Sequence, residues 1–500
     1  MEGAILQGIF QAIQPLSLLA TVCGVIFGLL VGMIPGLTVS SGIIMVLPLT
    51  FTLSPILSVA LLLGVYVAGF TGGAFSAILI NIPGTASAAA TLLDGYPMAQ
   101  RGEAARGLGI AITASLWGGL FSFVCLALLA PQLAGIALKF RAPELFALIF
   151  FGLSIISSFA VTSVVKGLLS AVIGLIIVTV GQDPIRGMGR FTFGSPDLLL
   201  GVHFLPALVG LFAFPEFVNV IKGEATQVQK KAIVARLGRI LPTWPDLKTM
   251  RVATLVGSVV GTFIGFLPGA GGPIAVFMAY DYIRKLSKTP EKFGTGCVEG
   301  IAATESSNSS VCGGALIPTM TLGIPGDPIT AIIIGALLVH GLTPGPLLFI
   351  TNAPFAYGMI ASFFCATIFT AIIAFTGIRI FVKVVTVPKV VLLPVILICC
   401  YVGSYALRNS MFDVYLMFGF GILSLLMKWL QIPVVPMLLA LVLGQQLEEH
   451  LRIALTISRG DISVLFTSPI SLFFLCLSAV SIAWPFVMQR KKEAAEAGQK

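Results

Sequence analysis

Long apolar runs separated by short polar pieces dominate the chain, and this pattern predicts helices that cross a membrane. A transmembrane helix needs about 20 apolar residues, and many runs reach that length. The runs are continuous rather than alternating, which excludes a transmembrane β-barrel. We predict an all-α polytopic membrane protein with about 10–14 transmembrane spans, some of them broken or re-entrant. The predicted spans lie near residues 15–34, 55–80, 108–138, 143–164, 166–182, 198–221, 252–267, 351–378, 389–407, 411–429, 433–447 and 467–488, with one more around Gly313-Gly314. No basic segment precedes the first span, so we expect it to be retained rather than cleaved.

Two stretches, 24–36 and 257–269, share one pattern of three glycines spaced four residues apart and then Pro-Gly. All five shared positions recur at an offset of 233 residues (257 − 24). Glycines with this spacing lie on one face of a helix and let another backbone approach closely. The Pro-Gly then ends or breaks the helix.

A second motif pair, Gly-Gly-Ala followed by Ile-Pro-Gly, occurs at 72–84 and again at 313–326. The offset is 241 residues for the Gly-Gly (313 − 72) and 242 for the Pro-Gly (325 − 83), which suggests a one-residue insertion between them. We therefore predict two repeats, residues 1–235 and 236–500. We expect them to have opposite membrane orientation, because inverted repeats bring equivalent elements to one depth.

Composition agrees with this class, because 57% of the residues are hydrophobic and only 10% are charged. A soluble domain carries about 25% charged residues. The net charge of +9 does not indicate nucleic-acid binding, because basic residues cluster in short loops, as the positive-inside rule expects. Residues 222–251 hold seven Lys and Arg against two acidic residues, which predicts a cytoplasmic linker that begins at the end of the first repeat. We also expect the charged segment 489–500 to be a cytoplasmic tail.

Polar and helix-breaking residues concentrate at four places, 36–42, 81–94, 269–273 and 304–330. Non-helical backbone at membrane depth is tolerated only where it is buried in protein or lines a wet cavity. Breaks in matched pairs are typical of the central site in inverted-repeat transporters. We predict that the four breaks converge on one cavity.

The predicted convergence has a geometric form. Gly36 and Gly269 should face each other across the pseudo-symmetry axis. The Cα atoms of these two residues, Gly84 and Gly326 should lie within about 20 Å of one another, near mid-depth in the bilayer.

Broken helices supply two kinds of ligand, since their N-termini offer N–H groups to anions and their freed carbonyls coordinate cations. Asp327 before Pro328 is typical of an N-cap and first helical residue, Pro273 also suits a first helical position, and Thr85 or Ser87 could cap the equivalent helix. Asp327 would repel an anion directly, so we expect it to cap its helix or to face the cation. The candidate substrate-binding residues are Gly36, Thr38, Ser40, Ser41, Asn81, Pro83, Gly84, Thr85, Gly269, Gly271, Gly272, Pro325, Gly326 and Asp327.

Glu305 is the strongest single candidate, because an ionisable residue inside a membrane is functional by default. It could be a Na⁺ ligand, a proton carrier or a buried hydrogen-bond acceptor. Alternatively, it lies at a helix end among the lipid headgroups. With Ser306, Asn308 and Ser309 it forms the candidate ion-coupling set, and the ligands of a suspected Na⁺ site stay open.

Other classes of function find less support in the residues. The three histidines are far apart and no H-E-x-x-H occurs, so we predict no catalytic residues and no enzyme. A membrane-embedded enzyme would need an acid–base or metal constellation, and a channel or scaffold would need no paired broken helices. We keep both as alternatives to an importer.

The same motifs resemble the large membrane subunit, the permease, of the tripartite tricarboxylate transporter family. The resemblance covers nearly the whole chain and rests on residues 24–36, 72–73, 81–84, 92–97, 257–269, 304–318 and 322–326. It implies a secondary transporter of the bacterial inner membrane that imports carboxylates such as citrate, driven by an ion gradient, usually Na⁺. It also implies two partners, a small membrane subunit and a periplasmic solute-binding protein that delivers the substrate. No cofactor is expected beyond Na⁺ or H⁺ as the coupling ion.

Overall fold

A computed structural model gives the fold. It describes residues 2–35, 37–158, 164–183, 185, 187–221, 239–269, 271–384, 393–406 and 408–497. Most of the predicted linker after residue 222 therefore lies outside the described residues.

Helices make up most of the described structure and strands almost none of it, which confirms the all-α prediction. The α-helices are α1 (Glu2–Ile13), α2 (Pro15–Met33), α3 (Val39–Thr50), α4 (Pro55–Ile80), α5 (Leu92–Met98), α6 (Ala104–Ala137), α7 (Ala142–Ser158), α8 (Val164–Val178), α9 (Pro196–Leu199), α10 (Phe204–Ile221), α11 (Trp244–Phe266), α12 (Gly271–Leu286), α13 (Val298–Leu322), α14 (Pro328–Val339), α15 (Leu348–Thr351), α16 (Ala353–Val384), α17 (Leu393–Ala406), α18 (Met411–Trp429), α19 (Val435–Ile457), α20 (Val464–Thr467) and α21 (Pro469–Ala497). Short 3-10 helices cover Ala86–Ala89 and Pro290–Lys292, and a π-helical turn covers Ala99–Glu103. Strands β1 (Gly181–Gln182) and β2 (Gly189–Arg190) pair antiparallel.

Six helical segments within the described residues are long and apolar enough to cross a bilayer, by length and composition. They are Pro15–Met33, Pro55–Ile80, Leu92–Ala137, Trp244–Phe266, Ala353–Phe381 and Met411–Trp429. The 12-residue helices α3 and α14 are about 18 Å long at 1.5 Å per residue, too short to cross alone. The predicted total of 10–14 spans stays a prediction.

The chain divides into two compact units, and each unit takes a segment from both halves of the sequence. The first unit comprises Met1–Gly135 and Glu216–Leu407, and the second comprises Ile136–Pro215 and Arg408–Lys500. Each predicted repeat thus contributes to both units. All the predicted site residues belong to the first unit.

Two long helix pairs build the first unit, with α2 packed along α4 and α11 packed along α13. Helices α4 and α13 are the most enclosed, since every residue from Ser58 to Ile80 and from Gly300 to Thr321 is buried. Helix α16 packs against α1, α2 and α4. The centre of the unit is therefore formed by α4 and α13.

Glycines set how closely the helices of each pair approach. Each of the three spaced glycines on α2 faces a backbone carbonyl of α4, and each of the three on α11 faces a carbonyl of α13. The facing pairs are Gly24–Leu61, Gly28–Val65, Gly32–Gly69, Gly257–Ala303, Gly261–Ser307 and Gly265–Val311. The glycines of the two sets are 233 residues apart (257 − 24) and the carbonyls 242 (303 − 61). The two helix pairs therefore share one register of close backbone contacts, as small-xxx-small packing predicts.

The second motif pair follows the same register, which corrects one detail of the predicted duplication. Gly72 packs against the carbonyl of Leu29, and Gly314 packs against that of Thr262. Gly72 thus corresponds to Gly314 at an offset of 242 (314 − 72), and the predicted one-residue insertion is absent from this register. The duplication itself and the opposite orientation of the repeats stay predictions.

The second unit is built around α7, α8, α19 and α21, which pack on one another. Its polar contacts include an ion-pair group in which Arg190 binds Glu448 at 2.6 Å and Arg452 binds Asp183 at 2.7 Å. These pairs tie the β1–β2 hairpin to α19 within the unit.

Candidate functional site

The polar run 304–310 lies inside α13 and not in a chain break, which corrects the predicted break at 304–330. Only Gly323 to Asp327 interrupt the helical path there. Several hydroxyls of the run bond to carbonyls of their own helix, for example Thr304 to Gly300 at 3.0 Å. Such bonds let a polar segment stay helical when it is buried. Glu305 is therefore two turns inside a buried helix and not at a helix end, which corrects that part of the alternative, while its depth in the bilayer stays a prediction.

The Glu305 carboxylate is fully enclosed and is held by side chains from the turn before α5, from α6 and from α13 itself. The Thr91 hydroxyl donates to Oε1 at 2.5 Å, the Ser115 hydroxyl donates to Oε2 at 3.3 Å, and the Asn308 amide lies 3.5 Å from Oε2. The ion pairs of the described residues do not include Glu305. A buried carboxylate without a cationic partner must be protonated or must meet a cation.

The other members of the predicted ion-coupling set separate into two groups. Asn308 and Ser309 stay near Glu305: the Asn308 amide donates to the Phe70 carbonyl at 3.1 Å, and Ser309 lies one helical turn beyond Glu305. Ser306 turns away, since its hydroxyl donates to a carbonyl of its own helix at 2.7 Å and lies against Gly257 of α11. The structure therefore does not bring Ser306 to the carboxylate.

The first chain break separates α2 from α3. Thr38 caps α3, because its hydroxyl accepts the Ser41 N–H at 3.1 Å and lies 2.8 Å from the Ser41 hydroxyl. Ser40 and Ser41 are buried in the first turn. Gly36 lies outside the described residues, so its position opposite Gly269 stays a prediction.

The second break ends α4 at Asn81, whose φ of 58° is left-handed. The chain then turns through half-buried Pro83 to Gly84, whose N–H donates to the Gly73 carbonyl at 3.3 Å. Gly84 also packs against Gly32, where a side chain would overlap the carbonyl oxygen. Asn81 itself is exposed, so the three predicted residues Asn81, Pro83 and Gly84 share a turn but differ in exposure.

The third and fourth breaks are joined directly, because the Gly269 N–H donates to the Gly326 carbonyl at 2.9 Å. Pro325 is buried beside this link. Gly269 and Gly271 have φ of 78° and 67°, which favour glycine. Helix α12 begins at Gly271, so Pro273 is its third residue and not its first as predicted.

The third break also meets the second, on the other half of the chain. A Cβ added to Gly272 would lie 2.8 Å from Ser87 Cβ and 3.1 Å from the Phe70 ring. Thr85 stands at the N-cap position of the 3-10 helix Ala86–Ala89, but its hydroxyl does not cap that helix. It lies instead 3.2 Å from the Ser87 hydroxyl. The first turn of α12 therefore contacts Ser87, and the Thr85 hydroxyl lies behind the Ser87 hydroxyl.

Asp327 caps α14, which confirms the capping prediction. Its carboxylate accepts the Thr330 N–H at 2.7 Å, while the Asp327 N–H donates to the Thr330 hydroxyl at 3.0 Å. Pro328 follows as the first helical residue. The Tyr66 hydroxyl, from α4, donates to the same carboxylate at 2.6 Å. The N-terminus of α14 is therefore occupied by the chain's own carboxylate.

Elements that follow the breaks pack across the two halves of the sequence. Helix α12 lies against the 3-10 helix Ala86–Ala89, and α3 lies against α14. The second, third and fourth breaks are thus in contact inside the first unit, and the first is linked to them through α3. The predicted distances between the four glycine Cα atoms stay a prediction.

Sequence reasoning missed the residues that hold the two buried carboxylates. Thr91 and Ser115 bond Glu305 across 214 and 190 positions, and Tyr66 bonds Asp327 across 261. Neither a hydroxyl nor a tyrosine in an apolar run carries a local signal of such a partner.

Asp94 has a positioning role that its sequence context did not indicate. Its Oδ1 accepts the N–H groups of Gly294, Gly296 and Cys297 at 2.9, 2.9 and 2.7 Å, and its Oδ2 accepts the Tyr280 hydroxyl at 2.9 Å. These N–H groups immediately precede α13, so Asp94 holds the loop that leads into the helix that carries Glu305.

We expect Asp94→Ala to destabilise the protein by about 2–3 kcal/mol, because three backbone N–H groups lose their buried acceptor. Asp94→Asn keeps one oxygen and should cost less. The thermal unfolding midpoint of the purified variants measures both effects. An unchanged midpoint for Asp94→Ala would show that the loop before α13 does not need this acceptor.

Taken together, these features define a polytopic helical membrane protein in which broken helices from both halves of the chain meet beside a buried polar helix. Residues 18–439 match the tripartite tricarboxylate transporter TctA family, and the chain belongs to that family. It is thus a component of a tripartite tricarboxylate transporter, which implies partner subunits. Membership of a transporter family agrees with the prediction that the protein is not an enzyme.

Two relatives from Agrobacterium vitis extend this comparison. One, described as an uncharacterized 52.8 kDa protein in the TAR-I ttuC' 3' region, is 40% identical over 478 residues, which is 95% of each chain. The other, described as an uncharacterized protein in the TAR-II ttuC' 3' region, is 40% identical over 222 residues, or 44% of this chain and 92% of the relative. No solved structure matches the chain.

Proposed function

We propose that this protein is the permease of an ion-coupled importer for carboxylates, such as citrate or another di- or tricarboxylate. The coupling ion is Na⁺ or H⁺, with Na⁺ favoured by the oxygen-rich surroundings of Glu305. We place the protein in the bacterial inner membrane, beside a small membrane subunit. A periplasmic solute-binding protein delivers the substrate.

The contact between the second and third breaks carries the proposal for substrate binding. The N-termini of α3 and α12 contain no acidic residue in their first turns. In its first turn α12 contacts Ser87 at Gly272, and the Ser87 hydroxyl lies 3.2 Å from the Thr85 hydroxyl. Backbone N–H groups at a helix start, together with hydroxyl donors, suit a carboxylate. The α14 N-terminus is unsuitable, because Asp327 already occupies it.

Ion coupling is supported by the Glu305 carboxylate. It is fully buried, it accepts hydrogen bonds from Thr91 and Ser115, and it has no ion-pair partner within the described chain. The Asn308 amide joins Glu305 to the Phe70 carbonyl, and the Phe70 ring lies against Gly272. Binding of an ion at the carboxylate and binding of substrate at the α12 N-terminus can therefore affect each other through a short path of contacts.

We expect Gly272→Ala to raise the KM for carboxylate uptake about tenfold or more, because the new methyl group would displace Ser87 or Phe70. Ser87→Ala should also raise it, without adding volume. Gly135→Ala is the matched control, since no atom lies within 4 Å of the added methyl group. Uptake of radiolabelled citrate by cells that carry the complete transporter gives the KM. Wild-type KM values for both Gly272→Ala and Ser87→Ala would show that the substrate does not bind at this place.

A further inference from the structure

A small buried cavity of about 10 Å³ lies between α4, α6, α13 and α16 in the first unit. Val67, Ile112, Leu116 and Ala371 form its apolar part. Five hydroxyl-bearing side chains form its polar part, namely Thr71, Ser115, Ser309, Thr367 and Thr370. A cavity of this size holds one water-sized particle, too little for an organic substrate.

Two of these hydroxyls have no hydrogen-bond partner in the described structure, and both are nearly inaccessible. Ser309 Oγ and Thr370 Oγ1 line the cavity, on residues with 1% and 3% relative exposure. Buried polar groups are normally satisfied by protein, water or an ion. The cavity is therefore the place where a bound species would meet these two oxygens.

The remaining three hydroxyls donate their hydrogens to other protein atoms. Thr71 donates to a carbonyl of α4 at 3.4 Å, Thr367 to a carbonyl of α16 at 2.9 Å, and Ser115 to Glu305 at 3.3 Å. A hydroxyl that has donated its hydrogen keeps its oxygen lone pairs. The lining is consequently rich in acceptors, which suits a cation better than an anion.

Charge distinguishes a cation from a water molecule in this cavity. Ser115 links the lining to the Glu305 carboxylate, which no Lys or Arg pairs within the described residues. A water molecule would satisfy the free hydroxyls but would leave the carboxylate uncompensated unless it is protonated. A single cation beside Ser115 would satisfy the free hydroxyls and compensate the ionised carboxylate.

We propose that this cavity is a binding site for one dehydrated Na⁺ ion, with Ser309 and Thr370 as ligands and Glu305 as the compensating charge. This rests on the proposed function, in that the ion bound here is the coupling ion. It adds residues of α6 and α16 to the ion site, which the polar run of α13 alone did not indicate.

Binding of ²²Na⁺ to the purified full-length protein in detergent tests the site without any transport. We expect saturable binding, with the Kd raised about tenfold or more by Ser309→Ala and by Thr370→Val. Thr370→Ser keeps the oxygen and should stay near the wild-type Kd. Ser362→Ala is the matched control, because Ser362 Oγ is equally buried and unpartnered among the described atoms but does not line the cavity.

A second measurement covers variants that fold poorly. Na⁺ should raise the thermal unfolding midpoint of the wild type more than K⁺ does, and the two cavity variants should lose this difference. Wild-type Na⁺ affinity in both cavity variants, or no Na⁺ binding at all, overturns the site. Proton-driven citrate uptake without Na⁺ binding would overturn this site while the importer stands. If the variants lose Na⁺ binding but the complete transporter shows no citrate uptake, the Na⁺ site stands and the importer function is overturned.

Discussion

Gly28→Leu and Gly261→Leu are expected to prevent accumulation of folded protein, and to do so equally. Both glycines face a carbonyl of the partner helix, Val65 on α4 and Ser307 on α13. A Cβ on Gly28 would lie only 2.6 Å from the Val65 oxygen, closer than real side chains allow. Backbone cannot move aside as a flexible side chain can, so a leucine must force each helix pair apart.

Alanine at the same two positions should destabilise the protein less than leucine does. We expect each alanine to cost about 1–3 kcal/mol through overpacking. Gly135→Ala, in open space on α6, should stay within about 0.5 kcal/mol of the wild type. The monodisperse fraction after extraction and the thermal unfolding midpoint report the result. A strong loss at Gly28 with none at Gly261 would contradict the shared register of the two helix pairs.

Glu305→Gln is expected to reduce ion-driven accumulation of substrate about 100-fold while the protein still folds. Glutamine has nearly the same shape and can keep bonds to Thr91 and Ser115, but it can neither bind a proton nor compensate a cation. Exchange of internal for external substrate should survive better than net accumulation, since exchange does not require the coupling step.

Glu299→Gln is the matched control for Glu305, because it is the same change on the same helix. Glu299 is only partly buried near the start of α13, where it accepts the Ser287 hydroxyl at 2.7 Å. Parallel assays of accumulation and exchange in proteoliposomes separate the two effects. Unchanged ion dependence in Glu305→Gln would make Glu305 a structural residue.

Much of the fold's framework could be predicted because its signals are local. A glycine every fourth residue specifies a close helix face, and Pro-Gly specifies its end, so α2 and α11 were predictable with their breaks. Asp327 before Pro328 likewise carries its capping role in two adjacent residues.

The centre of the site was harder to predict for two physical reasons. The Ser- and Thr-rich run 304–310 has the composition of a loop, yet back-bonding to its own carbonyls keeps it helical once it is buried. The partners of Glu305 and Asp327 come from about 190 to 260 positions away, and a single sequence carries no record of such pairings.

Uptake by the reconstituted transporter tests the central claim most directly. Proteoliposomes would contain this protein and the proposed small membrane subunit, with the proposed solute-binding protein and radiolabelled citrate outside. An inward Na⁺ gradient should drive saturable accumulation of citrate, collapse of the gradient should stop it, and Gly272→Ala should weaken it while Gly135→Ala does not. Non-saturable citrate entry that ignores both the ion gradient and Gly272→Ala would contradict the account.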